Sequence, residues 1–335
     1  MERKSIVFTG KNQVEWLTEE TEKPAAGQLL IETRKSLIST GTECICLARN
    51  FAPGTHWDSW VQYPFRTGYS NVGRVLEVGE GVEGFVVGDR VASRSNHSQF
   101  VLAKAAESFR VPDGVSDEDA TWFGLATIVQ IGVRRAEHRL GDAVVLVGMG
   151  LLGQLATQYV RLCGAREIIV VDTAQPRLEM ATAHGATLAL SKSVSEVSDE
   201  VMSATQGRGA DVVYDITGHP AVFGPAMGLA RRFGKLLLLG DAGTPGEQRL
   251  TSDVIMRGVR IVGAHDGHPP ASADDHNLWS KKEMGELFFN YIARGQMRVS
   301  DLVTHRYAPT DASAAYQMLL TDRSAAMGVV FDWTK

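Results

Sequence analysis

The run Asp142-Ala143-Val144-Val145-Leu146-Val147-Gly148-Met149-Gly150-Leu151-Leu152-Gly153 constrains the fold more than any other part of the chain. Five apolar residues lead into a G-x-G-x-x-G turn, and a helical pattern opens behind it, the context in which such a glycine repeat carries meaning. Gly148 permits the tight turn, Gly150 lets the backbone approach a pyrophosphate, and Gly153 allows close packing of helix on strand. The free N–H groups and positive dipole end of the helix point to phosphate oxygens as the ligand. The next strand-like run, Ile168-Ile169-Val170-Val171, ends in Asp172, 19 residues beyond Gly153. An acid there hydrogen-bonds the adenine ribose hydroxyls and would repel a 2′-phosphate, so NAD is expected over NADP. Arg177 partly offsets that preference. The expected cofactor contacts are Gly148, Met149, Gly150, Leu151, Leu152, Gly153, Asp172, Arg177, Thr217, Leu239 and Gly240.

The texture on either side of about Pro112 differs. Before it, short apolar stretches (Ser5–Thr9, Gln28–Thr33, Gly73–Val78, Asp89–Ala92, Gln99–Ala103) alternate with Gly, Pro, Asn and Asp, which predicts a compact β-barrel. After it, Asp117–Ala136 reads as one long helix. Strands and helices then alternate: Ala143–Val147, Leu151–Cys163, Glu167–Val171, Pro176–His184, Asp211–Asp215, Pro220–Arg232, Lys235–Leu239 and Arg260–Ala264. Such alternation predicts a Rossmann-type doubly wound parallel sheet. Helix Lys281–Arg294 and strands Thr304–Tyr307 and Gly328–Phe331 close the chain, and this return segment is too short to bury its apolar face alone. The expected organisation is a first domain of 1–116 and 265–335 around a cofactor domain of 117–264.

Composition narrows the function classes. The chain has 335 residues, 34 basic against 39 acidic side chains and a net charge of −5, so nucleic acid and anionic membrane surfaces are poor partners. No apolar run reaches membrane-spanning length, and the N-terminus lacks the apolar core of a signal peptide. Cys44, Cys46 and Cys163 are too few for a disulfide scaffold and fit the reducing cytoplasm. The C-x-C of Cys44 and Cys46 lacks a second cluster that would make it a metal site, so both read as small buried residues.

The β-rich front, the cofactor motif and the short return together resemble the medium-chain dehydrogenase/reductase superfamily, alcohol dehydrogenases included. The blocks that carry the resemblance are Ser39-Thr40-Gly41-Thr42-Glu43, Pro64-Phe65-Arg66-Thr67-Gly68-Tyr69-Ser70-Asn71-Val72-Gly73-Arg74-Val75, Gly88-Asp89-Arg90-Val91 and Val303-Thr304-His305-Arg306-Tyr307. The resemblance implies an α/β chain with a GroES-like β-barrel catalytic domain and a Rossmann domain. It also implies a homodimer through sheet edges, with Arg260-Ile261-Val262-Gly263-Ala264 as the edge strand.

The departures from the family pattern shape the expected chemistry. Zinc-dependent members hold the metal with cysteine, histidine and a further ligand; here those positions are Thr40, Tyr69-Ser70 and the neighbourhood of Gly124. A hydroxyl, a phenol and a glycine are not a zinc ligand set. The four-cysteine structural zinc lobe is missing too, since Ser93–Gln99 crosses directly to the next strand. A zinc-free member is therefore expected, with no metal site. Tyr69, His97, Thr42 and Glu43 are the catalytic candidates; Tyr69 and His97 are expected to line an open cleft and handle the proton. Against these stand blander readings: Tyr69 as filler of the metal's space, His97 as a turn residue, Glu43 as structural.

Trp57, Trp60, His265 and Asp266 are the expected substrate contacts, with packing or a surface loop as the alternative. The block Ser36–Glu43 with Thr67–Ser70 also resembles a subgroup labelled bacteriochlorophyllide or polysaccharide-biosynthesis dehydrogenases, which favours secondary-alcohol oxidation. The expected activity is hydride transfer between NAD and a polyhydroxylated alcohol or its ketone. A zinc-free enone or quinone reductase is the alternative, and a protein that binds NAD without turnover is the third.

Overall fold

Alternating apolar and polar residues in the front and return segments build one sheet system, and continuous apolar strands in the middle build another. The structure, a computed structural model, describes residues 1–270, 272–275 and 277–335. The chain divides into two compact units, the first Met1–Asn50, Asp58–Thr127 and Pro269–Lys335, the second Phe51–Trp57 and Ile128–His268. The residues 117–127 thus belong with the first unit and 51–57 with the second.

In the first unit a seven-stranded sheet runs in the order Val303–Tyr307, Gly328–Asp332, Gln28–Leu37, Asn71–Val78, Arg90–Ser93, Phe109–Arg110, with Phe100–Lys104 also pairing with Gln28–Leu37. Register shifts at Leu30/Ile31 and Thr33/Lys35 bend the central strand, as bulges do where a sheet must curl. Leu29, Ile31, Val75, Val91, Val101 and Ala103 form a core beneath it. A three-stranded sheet of Gln13–Glu20, Glu2–Gly10 and Phe65–Arg66 completes the β structure. This is the GroES-like half of an α/β chain.

In the second unit six parallel strands lie in the order Leu188–Ser191, Glu167–Asp172, Ala143–Val147, Ala210–Asp215, Ala230–Leu238, Arg260–Gly263. By chain order within the unit this is 3-2-1-4-5-6, the doubly wound arrangement, whose order reverses at Ala143–Val147. Val145, Val147, Ile169, Val171, Val213 and Leu236 are buried together in its core.

Two sequence expectations are corrected. The helix expected over 117–136 is broken into Asp117–Ala120 and Phe123–Ala136. The N–H groups of Thr121 and Trp122 bond three residues back, to Glu118 and Asp119, and this tight turn buries the Trp122 ring completely. The helix expected to reach Arg232 ends at Leu229, because Ala230 leaves helical backbone and pairs with Ala210 in the sheet.

A buried polar hub ties the first unit together. The Glu43 carboxylate, 2% exposed, accepts from the Ser39 backbone N–H at 2.7 Å on one oxygen. Its other oxygen accepts from Thr67 Oγ1 at 2.7 Å and from the Tyr316 hydroxyl, and lies 3.1 Å from His97 Nε2. The other ring nitrogen of His97 meets Ser36 Oγ at 2.8 Å, and Ser36 accepts from Trp333 Nε1 at 2.9 Å. Burial alone would raise the Glu43 pKa, but the His97 charge and the hydrogen bonds from His97, Tyr316 and Thr67 outweigh it and hold the carboxyl below its ordinary value. A lowered folded pKa means a contribution that is full above the unfolded carboxylate pKa of about 4.3 and lost as pH falls through the folded value. Glu43→Gln is expected to cost about 3 kcal/mol in urea unfolding at neutral pH, with the gap to wild type narrowing at acid pH. A loss below about 1 kcal/mol would contradict the hub.

Candidate active site

In the second unit the glycine motif sits at the carboxyl edge of the parallel sheet. Gly148 takes φ +98°, and a Cβ there would lie 2.8 Å from Thr217 Cγ2. A Cβ on Gly153 would lie 2.1 Å from the Gly148 carbonyl oxygen, so helix and strand approach as closely as the motif requires. Among the described residues nothing lies within 4 Å of a Cβ on Gly150, which begins helix Leu151–Leu162 without a side-chain cap. Asp172 ends its strand and accepts from the Met149 N–H at 2.7 Å and the Ala174 N–H at 2.8 Å. Gln154 Nε2 donates to the Arg177 carbonyl at 2.8 Å, which ties the start of the next helix to the motif. Thr217 donates through N–H and hydroxyl to Asp215, while the N–H groups of Leu239 and Gly240 each meet the Asp215 carbonyl at 3.0 Å. The expected cofactor residues therefore gather at one sheet edge. Open backbone at Gly150, an uncapped helix start and a flanking carboxylate fit a dinucleotide.

In the first unit a cluster of hydroxyls surrounds the Tyr69 phenol. Tyr69 donates to Ser39 Oγ at 2.5 Å, and Thr42 Oγ1 is 3.5 Å away. Thr42 stands in the first turn of helix Thr40–Ala48, and Ser39 is held by its N–H bond to Glu43. Burial raises the Tyr69 pKa; the Ser39 and Thr42 hydrogen bonds and the charge of Arg94 act against it without cancelling it. Arg94 lies over the ring, its Cζ 5.2 Å from the centroid.

His97 does not line an open cavity as expected. Its side chain is 0% exposed and both ring nitrogens meet protein partners, so no small molecule reaches it. Glu43 is enclosed in the same way. Trp57 is buried in the second unit beside His56, whose ring lies 5.0 Å from the indole and 6.2 Å from His265. His56 Nε2 meets Asp241 Oδ2 at 3.0 Å. His265 is exposed, and Asp266 follows it in the same turn. Trp60 is not brought to that group: it lies in the first unit, half exposed, edge-on to Phe65 at 5.2 Å. Cys44 and Cys46 are buried, and burial pushes the Cys44 thiol up to about 11.

Sequence reasoning missed Arg94 and the acceptor role of Ser39. The signal for Arg94 was present as the one cation in Ser93–Gln99, the segment expected to cross the site. Tyr316 was missed because its helix, Ala312–Thr321, was not foreseen.

The zinc that the family pattern implies can be tested against these side chains. Thr40 and Tyr69 supply only hydroxyls, and a Cβ on Gly124 would lie 2.7 Å from Ser70 Oγ and 3.1 Å from the Tyr69 carbonyl oxygen. The Ser70 hydroxyl is itself buried, with no hydrogen-bond partner among the described residues. Among the described residues no three His, Cys, Asp or Glu side chains are grouped to hold a metal ion. The residues present do not fit a tetrahedral zinc site.

Comparison with known proteins agrees with the fold. Residues 26–118 match the alcohol dehydrogenase GroES-like domain, and residues 152–279 match the zinc-binding dehydrogenase domain. The chain is 25% identical to the L-threonine 3-dehydrogenase of Paraburkholderia phymatum over 92% of its length and 97% of that protein's. It is 28% identical to the D-guloside 3-dehydrogenase of Shigella flexneri, over 80% and 78% of the two chains. The solved structure of galactitol-1-phosphate dehydrogenase from Escherichia coli shares the fold at a TM-score of 0.82 and 18% identity, covering 98% of this chain and 99% of that one. The chain belongs to the medium-chain dehydrogenase/reductase superfamily of alcohol-dehydrogenase-like proteins.

Proposed function

We propose that this protein is an NAD-dependent dehydrogenase of secondary alcohols and their ketones, with sugars, cyclitols or other polyhydroxylated molecules as substrates, and that it works without catalytic zinc. The observation that carries the reading is the hydroxyl cluster of Tyr69, Ser39 and Thr42, in which Tyr69 takes a position that the family resemblance assigns to a zinc ligand. The dehydrogenase names of the relatives support a hydroxylated substrate. When bound, the nicotinamide cofactor accepts or supplies hydride. The proton is left to this chain. With its raised pKa, Tyr69 holds its proton at neutral pH and suits the role of donor to a carbonyl oxygen. Ser39 orients the phenol, and Thr42 is the second hydroxyl within reach. His97 and Glu43 fix the Ser39 loop and take no part in proton transfer. His265 and Asp266 remain candidate polar contacts to a substrate. The free cysteines suit a reducing cytoplasm.

A screen of NAD reduction against sugars, cyclitols and simple secondary alcohols should find a substrate. On that substrate Tyr69→Phe is expected to lower kcat by about two to four powers of ten while barely changing NAD affinity. Wild-type kcat in this variant would overturn the assignment.

Asp172 supports NAD over NADP, since its carboxylate ends the strand beside the glycine turn. Titration of both nucleotides should show tighter NAD binding, and Asp172→Ala should narrow the difference; tighter binding of NADP to wild type would contradict it.

A homodimer is proposed through strand Arg260–Gly263, which lies at the edge of its sheet with Ile261 39% exposed and Met256 74% exposed just before it. Light scattering at micromolar concentration should give twice the chain mass, and monomer alone would count against the interface.

A further inference from the structure

Besides Ser39 and Thr42, Tyr69 has a charged partner, Arg94, that none of the family blocks assigns. Strand Arg90–Ser93 delivers Arg94 to the face of the phenol, with Cζ 5.2 Å from the ring centroid. The arginine also meets a second hydroxyl: its Nη1 lies 3.5 Å from Thr127 Oγ1, and Thr127 donates to the Gly124 carbonyl at 2.8 Å. Gly124 makes this possible. Any side chain there would strike Ser70 Oγ and the Tyr69 carbonyl, so only glycine lets the first turn of helix Phe123–Ala136 come close enough to carry Thr127 to the arginine. The position that holds a metal ligand in zinc-dependent relatives here brings that hydroxyl up to the cation.

We propose that Arg94 is a positioning residue for proton transfer, a permanent positive charge that holds the Tyr69 phenol in place and stabilises the phenolate left when it gives up its proton. The inference rests on the reading of Tyr69 as proton donor. In the reducing direction the carbonyl carbon gains a hydride, with its two electrons, from the reduced nicotinamide. The carbonyl oxygen takes the Tyr69 proton as the phenol O–H bond breaks. The electron pair of that bond stays on the phenolate, whose ring lies beneath the guanidinium, until solvent returns a proton. Two charged groups act on the phenol. Arg94, from the segment after Arg90–Ser93, favours the phenolate; Glu43, from the first turn of helix Thr40–Ala48, opposes it. The hydroxyls of Ser39 and Thr42 are its hydrogen-bond partners. Arginine keeps its charge at every working pH, so the support is constant.

The test needs no substrate. Difluorotyrosine incorporated at position 69 of the full chain gives a phenol whose ionisation is read by fluorine NMR. Arg94→Gln should move its midpoint up by about one pH unit or more, and Arg94→Lys should restore part of the shift. On a substrate from the screen, Arg94→Gln should also lower kcat/KM about tenfold or more and move its pH profile the same way. If Arg94→Gln does not fold, Arg94→Met, which keeps apolar packing on the ring, supplies the uncharged comparison. An unmoved midpoint in a folded variant overturns the proposal, and so does lost activity with an unmoved midpoint, which would put Arg94 on the substrate instead. A shifted midpoint in a protein that turns over no alcohol would uphold the pairing and remove the reading of the reaction.

Discussion

The buried Glu43 carboxylate is the constraint on which the barrel unit's chemistry depends. A lone carboxylate in that place would be costly; four donors from four parts of the chain offset the loss of water. One of them, the Ser39 N–H, sets the loop whose hydroxyl receives the Tyr69 proton bond. Glu43 and His97 are enclosed, and they meet the Tyr69 cluster only through Ser39, whose N–H the carboxylate accepts and whose hydroxyl accepts from the phenol. Such a network is stable only when complete, which accounts for its burial away from the titrating solvent.

The two units use different materials for their tasks. The parallel sheet offers backbone: an open glycine, uncapped N–H groups and one carboxylate at the carboxyl edge, where a dinucleotide needs close approach more than side chains. The barrel offers side-chain hydroxyls and a guanidinium, where zinc-dependent relatives offer a Lewis acid. In the zinc-free reading proposed above, the charge that develops on a reacting oxygen is met by hydrogen bonding, with Arg94 over the ring of the phenol.

The cofactor half was legible in the sequence because its signals are local. Strand Ala143–Val147, the glycine turn and Asp172 follow one another, and the structure assembles them without distant help. The barrel half was legible only in outline. The strands showed as alternating runs, but Gln13–Glu20 was hidden by its glutamates, and the break at Thr121–Trp122 is a tertiary event in which burying an indole overrides helical periodicity. His97 misled for a related reason. Its place between two strands suggested a cavity, yet whether an imidazole faces solvent or a buried carboxylate depends on Glu43, 54 positions earlier, and on Tyr316, far beyond it. Tyr69 was legible by position, whereas its partners Ser39 and Arg94 took on meaning only once the loops were folded.

The proposed reaction is hydride transfer at a hydroxyl site without zinc. The most direct test is elemental analysis of the purified, active enzyme, with NAD reduction on its substrate measured before and after exhaustive chelation. Zinc far below one atom per chain, and turnover unchanged by the chelator, are the expected results. One zinc per chain, with activity lost on chelation and restored by added zinc, would contradict it.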